Sequence, residues 1–235
     1  MHKIIIAGAI GRMGQAILEE LNKMDLDIKI YEIDQDDEFP KEKIDLIIDF
    51  SSIDGVFKHI EKAKELNSAF LTGVTGFTDQ QIEKIKSYSS DIPVLLDFNM
   101  SIGINTITSL LNQLKEKLGG YDIEIIETHH KHKKDAPSGT AKKLFNELNK
   151  ESRFKEVDGR TGESLRTENE IGIHAVRAGG VFGEHSIRFI NDFEEVSISH
   201  RAFSRKTFAA GAVRAGLWLM KQENGFYNML DYLDI

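Results

Sequence analysis

Over the first hundred residues, short apolar runs alternate with amphipathic stretches, the pattern of a parallel sheet whose strands are joined by crossover helices. Strands are predicted at 3–7, 28–32, 46–50, 69–72 and 93–97. The first connecting helix places Met13, Ala16, Ile17, Leu21 and Met24 on one face, close to the 3.6-residue period, with Glu19, Glu20 and Lys23 on its polar side. A second apolar stripe, Ile107, Leu110, Leu111, Leu114 and Leu118, follows residues 99–103 and stops at Gly119-Gly120. The organisation therefore changes near Asn99.

Beyond that point strands follow one another without intervening helices, at 123–127, 171–177, 184–190 and 195–200, and Ala178-Gly179-Gly180 and Asn191-Asp192 supply turns. Such a run predicts an antiparallel or mixed sheet of α+β type. Residues 151–170, rich in Glu, Arg, Gly and Thr, are expected to form a long surface loop. A closing helix at 207–220 is so dense in small and apolar residues that burial on several sides is expected. The expected domains are 1–99, with 207–235 packing back onto it, and 100–206.

With 235 residues and 40% hydrophobic content, the chain has the means to bury a substantial core. A net charge of -8 argues against broad affinity for nucleic acid or anionic membrane, so any bound anion must be met by local groups. No cysteine is present, which removes disulfides, thiolate metal sites and cysteine nucleophiles. No apolar run approaches the roughly 20 residues of a membrane span. A cytoplasmic location is expected.

Between the first strand and first helix stands Gly8-Ala9-Ile10-Gly11-Arg12-Met13-Gly14. Glycines at this spacing permit a tight turn, let backbone N–H groups approach a pyrophosphate and allow close helix–strand packing. The helix N-terminus then faces the phosphates. Glu32, at the end of the second strand, stands where a carboxylate accepts the adenine ribose hydroxyls. Alone, the glycine turn is shared by many dehydrogenases, and without a ligand it would be only a turn.

The densest chemistry is the block from Glu127 to Ala141, E-T-H-H-K-H-K-K-D-A-P-S-G-T-A. It leaves a predicted strand and leads into a helix whose stripe is Ala141, Leu144, Phe145 and Leu148, with Ser138 or Thr140 as N-cap. Amides and hydroxyls at a positive helix end suit a small carboxylate. Either a histidine, titrating near neutrality, or a lysine whose pKa is lowered by neighbouring cations could donate a proton. His129, His130 and His132 also have the chemistry of zinc ligands. Three adjacent lysines would repel a dication, so anion binding is favoured and no metal is expected. A solvated basic loop would leave the proline-serine-glycine-threonine cap unexplained.

Together the G-x-x-G-R-M-G turn, the E-x-H-H-x-x-K-x-D-A-P-S-G-T-A block and Gly183-Glu184-His185 resemble the 4-hydroxy-tetrahydrodipicolinate (dihydrodipicolinate) reductase family. The similarity continues through Ser204-Arg205, Phe208-Ala209-Ala210-Gly211-Ala212 and Asn224-Gly225-Phe226-Tyr227. The resemblance implies an α/β fold: a Rossmann-like parallel-sheet cofactor domain, an α+β domain that binds substrate and builds a homotetramer, and closure of one on the other. It implies NADH or NADPH as cofactor and a small dicarboxylate imine as substrate, in lysine and diaminopimelate biosynthesis. Hydride would pass to C4 of the cyclic imine and a proton to C3. On the matching positions, His129 (donor or acceptor) and Lys133 (donor) form the catalytic pair. Substrate contacts fall on His130, Lys133, Gly139, Thr140 and Thr75. Cofactor contacts fall on Gly8, Ala9, Ile10, Gly11, Arg12, Met13, Glu32, Gly73, Val74, Thr75, Asp97, Phe98, Asn99 and Met100, with Arg205 closing over the cofactor.

Three departures matter. Val74 stands where a threonine is common, the acidic run after Glu32 lacks the basic residue associated with strong NADPH use, and Asp97 is an unexpected carboxylate, expected to serve through its backbone. Two rival classes share part of this pattern. Amino-acid and sugar dehydrogenases share the architecture but do not require H-H-x-x-K before a serine-glycine-threonine cap, and an NAD-binding sensor would need a basic DNA-binding or partner helix. A 2′-phosphate beside Glu32 meets repulsion and no local cation among residues 33–38. NADH is therefore expected to be used at least as well as NADPH, and comparing kcat/KM for the two checks this: a large preference for NADPH would contradict it.

Overall fold

The computed structural model describes residues 1–34 and 37–234. Gln35 and Asp36, within the acidic run that bears on cofactor choice, lie outside the described residues. The chain forms two compact units, Met1–Ile102 with Arg205–Ile235, and Gly103–Ser204.

In the first unit the chain runs β1 (His2–Ala7), α1 (Arg12–Leu21), β2 (Ile28–Ile33), β3 (Leu46–Asp49), α2 (Ile53–Leu66), β4 (Ala69–Thr72), α3 (Asp79–Ser87) and β5 (Pro93–Leu96). After the second unit it returns as a long helix (Lys206–Leu219), a short strand (Gly225–Tyr227) and a last helix (Met229–Leu233). These five strands and the returning one pair in parallel, with the returning strand on the outer side of β5 and β2 at the opposite edge. The strands are apolar on both faces because both are covered. Ile4, Ile6, Leu46, Ile48 and Leu71 pack with α1 and the Lys206–Leu219 helix. Ile5, Ile47, Phe70 and Val94 pack with α2 and α3 on the other side.

Met24, placed by periodicity on α1, lies just past its end but still packs on this core. Asp97 does more than offer backbone: its buried carboxylate accepts the Asn99 amide at 3.1 Å and the Met229 amide at 3.3 Å, tying the segment after β5 to the start of the last helix.

The second unit carries α4 (Ile102–Lys117, whose first residue closes the first unit), β6 (Asp122–His129), α5 (Gly139–Leu148), β7 (Lys155–Asp158), β8 (Glu170–Arg177), β9 (Gly183–Ile190) and β10 (Glu195–Ala202). The returning elements are then α6 (Lys206–Leu219), β11 (Gly225–Tyr227) and α7 (Met229–Leu233). Its sheet has the order β10-β9-β6-β8-β7 and is mixed: β9 is antiparallel to β6 and β10, whereas β8 is parallel to β6 and β7. One face, with Ile123, Ile125, Ile171, Ile173, Ile187 and Phe189, packs on α4 and α5. Leu110, expected in the buried stripe of α4, is exposed instead, and Ile104 joins Ile107 and Leu111 in the core.

The expected loop over 151–170 contains β7. Val157 is its only apolar residue, so no alternation marks it; it is a strand because it pairs in register with β8 from Lys155↔Glu170 to Asp158↔Ile173. Among the described residues, no helix is long and apolar enough to cross a membrane.

Gly211, on α6, lies where a Cβ would stand 1.7 Å from the Met100 carbonyl oxygen. Only glycine permits this approach of helix to backbone. Gly211→Ala must push α6 off the segment after β5 and is expected to cost about 1–3 kcal/mol, seen as a lower thermal midpoint; an unchanged midpoint would contradict this packing.

Candidate functional site

In the first unit the glycine turn lies at the C-terminal end of β1. Gly8 has φ +77°, and a Cβ there would meet the Phe50 carbonyl and Ser51 Cα at 2.8 Å. Gly14 packs so tightly that a Cβ would stand 2.3 Å from the Gly8 carbonyl oxygen. Gly11 is the N-cap of α1; no side chain caps that end and no acidic residue occupies the first turn. A positive helix end without a side-chain cap could hold a dinucleotide pyrophosphate. Ile10, Gly11 and Arg12 are exposed on the turn, Met13 is half-buried, and Gly8 and Ala9 are buried beneath it. Burial, and then the Arg12 guanidinium, lower the pKa of Arg205, so two cations of this unit stand near each other.

Glu32 is exposed on β2, paired in register with Ile6. Two residues on, Asp34 accepts the Ile10 amide of the glycine turn at 3.0 Å, and its own amide donates to Asp37 at 2.8 Å. Sequence reasoning missed Asp34, although its position directly after the strand was the available signal. Gly73 is closed over by the Phe50 ring, half-buried Val74 packs on the α2–α3 side of the core, and Thr75 is exposed. Beyond β5, Phe98 is exposed, Asn99 half-buried and Met100 buried.

The second unit holds the titratable cluster. Alternation along β6 puts Ile123, Ile125, Glu127 and His129 on the covered face. Register then brings in the neighbours, because Glu127 lies opposite His185 on β9 and His129 beside Arg177 on β8. The Glu127 carboxylate is fully buried and receives four hydrogen bonds. Arg177 donates to both oxygens, Nη1 to Oε2 at 2.8 Å and Nη2 to Oε1 at 2.7 Å. His129 Nδ1 lies 2.6 Å from Oε2, and the Ser138 amide donates to Oε1 at 3.0 Å. Burial pushes the Glu127 carboxyl up, but Arg177, His129 and the Ser138 amide outweigh it and hold the pKa below the usual carboxylate value. For His129, burial lowers the pKa, the Glu127 carboxylate raises it, and Lys133 and Arg177 lower it again; the net effect is downward. The ring is neutral at neutral pH, with Nε2 near Gly183, where a Cβ would approach that nitrogen to 3.1 Å.

Ser138, not Thr140, is the N-cap of α5, its hydroxyl accepting the Ala141 amide at 3.2 Å. That hydroxyl also lies 3.2 Å from His185 Nε2, and the His185 ring packs edge-on against His129 at 5.2 Å. Gly139, in the first turn, has open space where a Cβ would go, leaving backbone accessible beside half-buried Thr140. His130 is anchored by its amide to the Val181 carbonyl at 2.8 Å, while its buried Nδ1 has no hydrogen-bond partner among the described residues.

Lys133 Nζ lies 2.9 Å from Asp135 Oδ1. Its ion-pair partner is a carboxylate, beside the cations of the same loop. No group of three metal-ligating side chains is found among the described residues. Glu127, Arg177, His185 and His200 were not assigned roles from sequence. Their alternation on covered strands was visible, but partners 50 residues apart, such as Glu127 and Arg177, are joined only by sheet register.

A parallel sheet with an uncapped glycine turn, and a separate mixed sheet bearing a buried acid–base cluster, define a two-unit oxidoreductase of the pyridine-nucleotide class. More narrowly, the chain belongs to the dihydrodipicolinate reductase family: residues 24–100 match the family's N-terminal part and 103–233 its C-terminal part. Proteins named 4-hydroxy-tetrahydrodipicolinate reductase from Methanoculleus marisnigri and Aquifex aeolicus are 36% and 39% identical, covering 100% and 99% of this chain and the same shares of their own. A dipicolinate-bound dihydrodipicolinate reductase from Paenisporosarcina sp. TG-14 shares the fold, with a TM-score of 0.79, 22% identity and 98% coverage of both chains. The chain is accordingly an enzyme, an oxidoreductase of the 4-hydroxy-tetrahydrodipicolinate reductase type.

Burial lowers the His185 pKa to about 3, with the nearby His129 adding to the effect. An unfolded chain then takes up the proton first, near the ordinary value of 6.5. The stability linked to His185 is therefore complete above that value and is lost as pH falls from it toward about 3. Glu127, with its lowered pKa, acts in the same direction at the acid end. The urea midpoint is expected to fall across this range, and less steeply in His185→Gln; parallel curves would contradict the assignment.

Proposed function

We propose that the chain reduces the cyclic dicarboxylate imine derived from 4-hydroxy-tetrahydrodipicolinate to tetrahydrodipicolinate, in lysine and diaminopimelate biosynthesis. The observation that carries this reading is the Glu127–His129–Arg177 cluster fastened to the N-terminus of α5, with Lys133 on the loop between them. A pyridine nucleotide on the glycine turn of the first unit supplies hydride when bound. NADH is read as a donor used at least as well as NADPH, supported by two carboxylates, Glu32 and Asp34, at the end of β2.

In the second unit, the first turn of α5, with exposed Gly139 and half-buried Thr140, receives a substrate carboxylate. His130, whose Nδ1 has no hydrogen-bond partner among the described residues, is a further substrate contact. As hydride adds at C4, the electron pair released onto C3 takes a proton. Lys133 supplies it and afterwards regains one from solvent, and the Asp135 carboxylate keeps its ammonium in place beforehand. Assembly as a homotetramer belongs to the same reading and rests on the family resemblance, and a cytoplasmic site of action fits a chain without cysteine.

Loss of NADH absorbance with freshly generated hydroxy-tetrahydrodipicolinate, and none with simple 2-oxo or 2-hydroxy acids, tests the reaction; activity on the simple acids alone would overturn it. Lys133→Ala is expected to leave NADH affinity nearly intact and to cut turnover by at least about a hundredfold, the scale of general acid catalysis. Near-normal turnover would reject Lys133 as donor.

A further inference from the structure

We propose that Glu127 is a positioning residue of this reaction. It fixes His129 in the tautomer that carries its proton on Nδ1, makes Nε2 a proton acceptor, and ties that ring to the substrate-binding end of α5. The inference rests on the reductase reading in that His129 is taken to serve the reduction.

An ionised carboxylate only accepts, with room for about four bonds over its two oxygens. Glu127 has two from Arg177, one from the Ser138 amide and one with His129 Nδ1. Three of these four bonds come from groups that can only donate, so they hold the carboxylate in its accepting form, and an accepting oxygen 2.6 Å from Nδ1 requires a proton on that nitrogen. With the ring neutral, Nε2 keeps its lone pair. His129, for which donor and acceptor roles were both open from sequence, is thereby assigned as an acceptor in the resting enzyme.

The same carboxylate binds the Ser138 amide on the residue that caps α5, so the ring and the helix end share one anchor. Charged and titratable groups face the ring from each neighbouring element: Arg177 on β8, His185 on β9 and Lys133 on the following loop, with His200 on β10 beside His185. None of the other groups is placed at hydrogen-bonding distance from His129 Nδ1.

The test is histidine-ring 1H–15N correlation spectroscopy on the full chain at neutral pH, paired with turnover. Wild type should show His129 protonated on Nδ1 and bare at Nε2. Glu127→Gln brings an amide N–H₂ among Arg177, Ser138 and His129; the position open to it as a donor faces His129 Nδ1. The ring should therefore switch to the Nε2–H form and titrate at lower pH, while turnover falls at least about tenfold and NADH affinity holds. Glu127→Asp should keep the Nδ1–H form and recover part of the turnover.

Should the Gln variant fail to fold, the wild-type tautomer and the Asp variant decide. An active wild type with the ring protonated on Nε2, or a switched tautomer with unchanged turnover, overturns the role of Glu127. Failure of the reductase reading would look different: the Nδ1–H ring in an enzyme that reduces no imine.

Discussion

A buried carboxylate with every acceptor position filled is the constraint around which the second unit is organised. Burying a charge is expensive unless it is paired and hydrogen-bonded, and removing one partner from such a pair costs about 3–5 kcal/mol. Glu127 meets that condition by drawing on three parts of the chain: Arg177 from the neighbouring strand, His129 two residues along its own strand and the Ser138 amide from the start of α5. Strand, loop and helix end are held in one geometry because the charge cannot remain buried otherwise. The lowered pKa of His129 and the far lower one of His185 follow from the same burial.

The first unit solves a different problem with different means. Its parallel sheet is covered on both faces, so the strand ends are where ligands are reached. What prepares that edge is the removal of side chains: Gly8 and Gly14 allow a turn that no Cβ would tolerate, and Gly11 leaves the start of α1 uncapped. One unit thus leaves backbone dipoles open at a helix end, and the other holds titratable side chains shifted by burial and by their partners. In the proposed reaction the division is chemical as well, since the hydride comes with the nucleotide and proton handling falls to the second unit.

Much of this was legible in the sequence because it is local. Strand periods, the first helix, the glycine spacing, the α5 stripe and the Ser138 cap are each contained within about a dozen residues. The misses share the opposite property. Strand β7 has one apolar residue and exists through its pairing with β8. Leu110 looked buried by spacing but lies on an open part of α4. Asp34 acts through a hydrogen bond to a turn 24 residues earlier. Arg177 and His185 become partners of Glu127 and His129 only when register is known, and register across a mixed sheet is not written in any one strand.

The claim at the centre of the account is that the Glu127-anchored end of α5 receives the substrate's carboxylate. Titrating pyridine-2,6-dicarboxylate, a planar analogue of the proposed substrate, into 15N-labelled enzyme carrying NADH tests it directly. Saturable shifts of the Gly139, Thr140 and Ala141 amides together with the His129 ring signals are expected. Saturable binding that leaves those amides and that ring unmoved would contradict it.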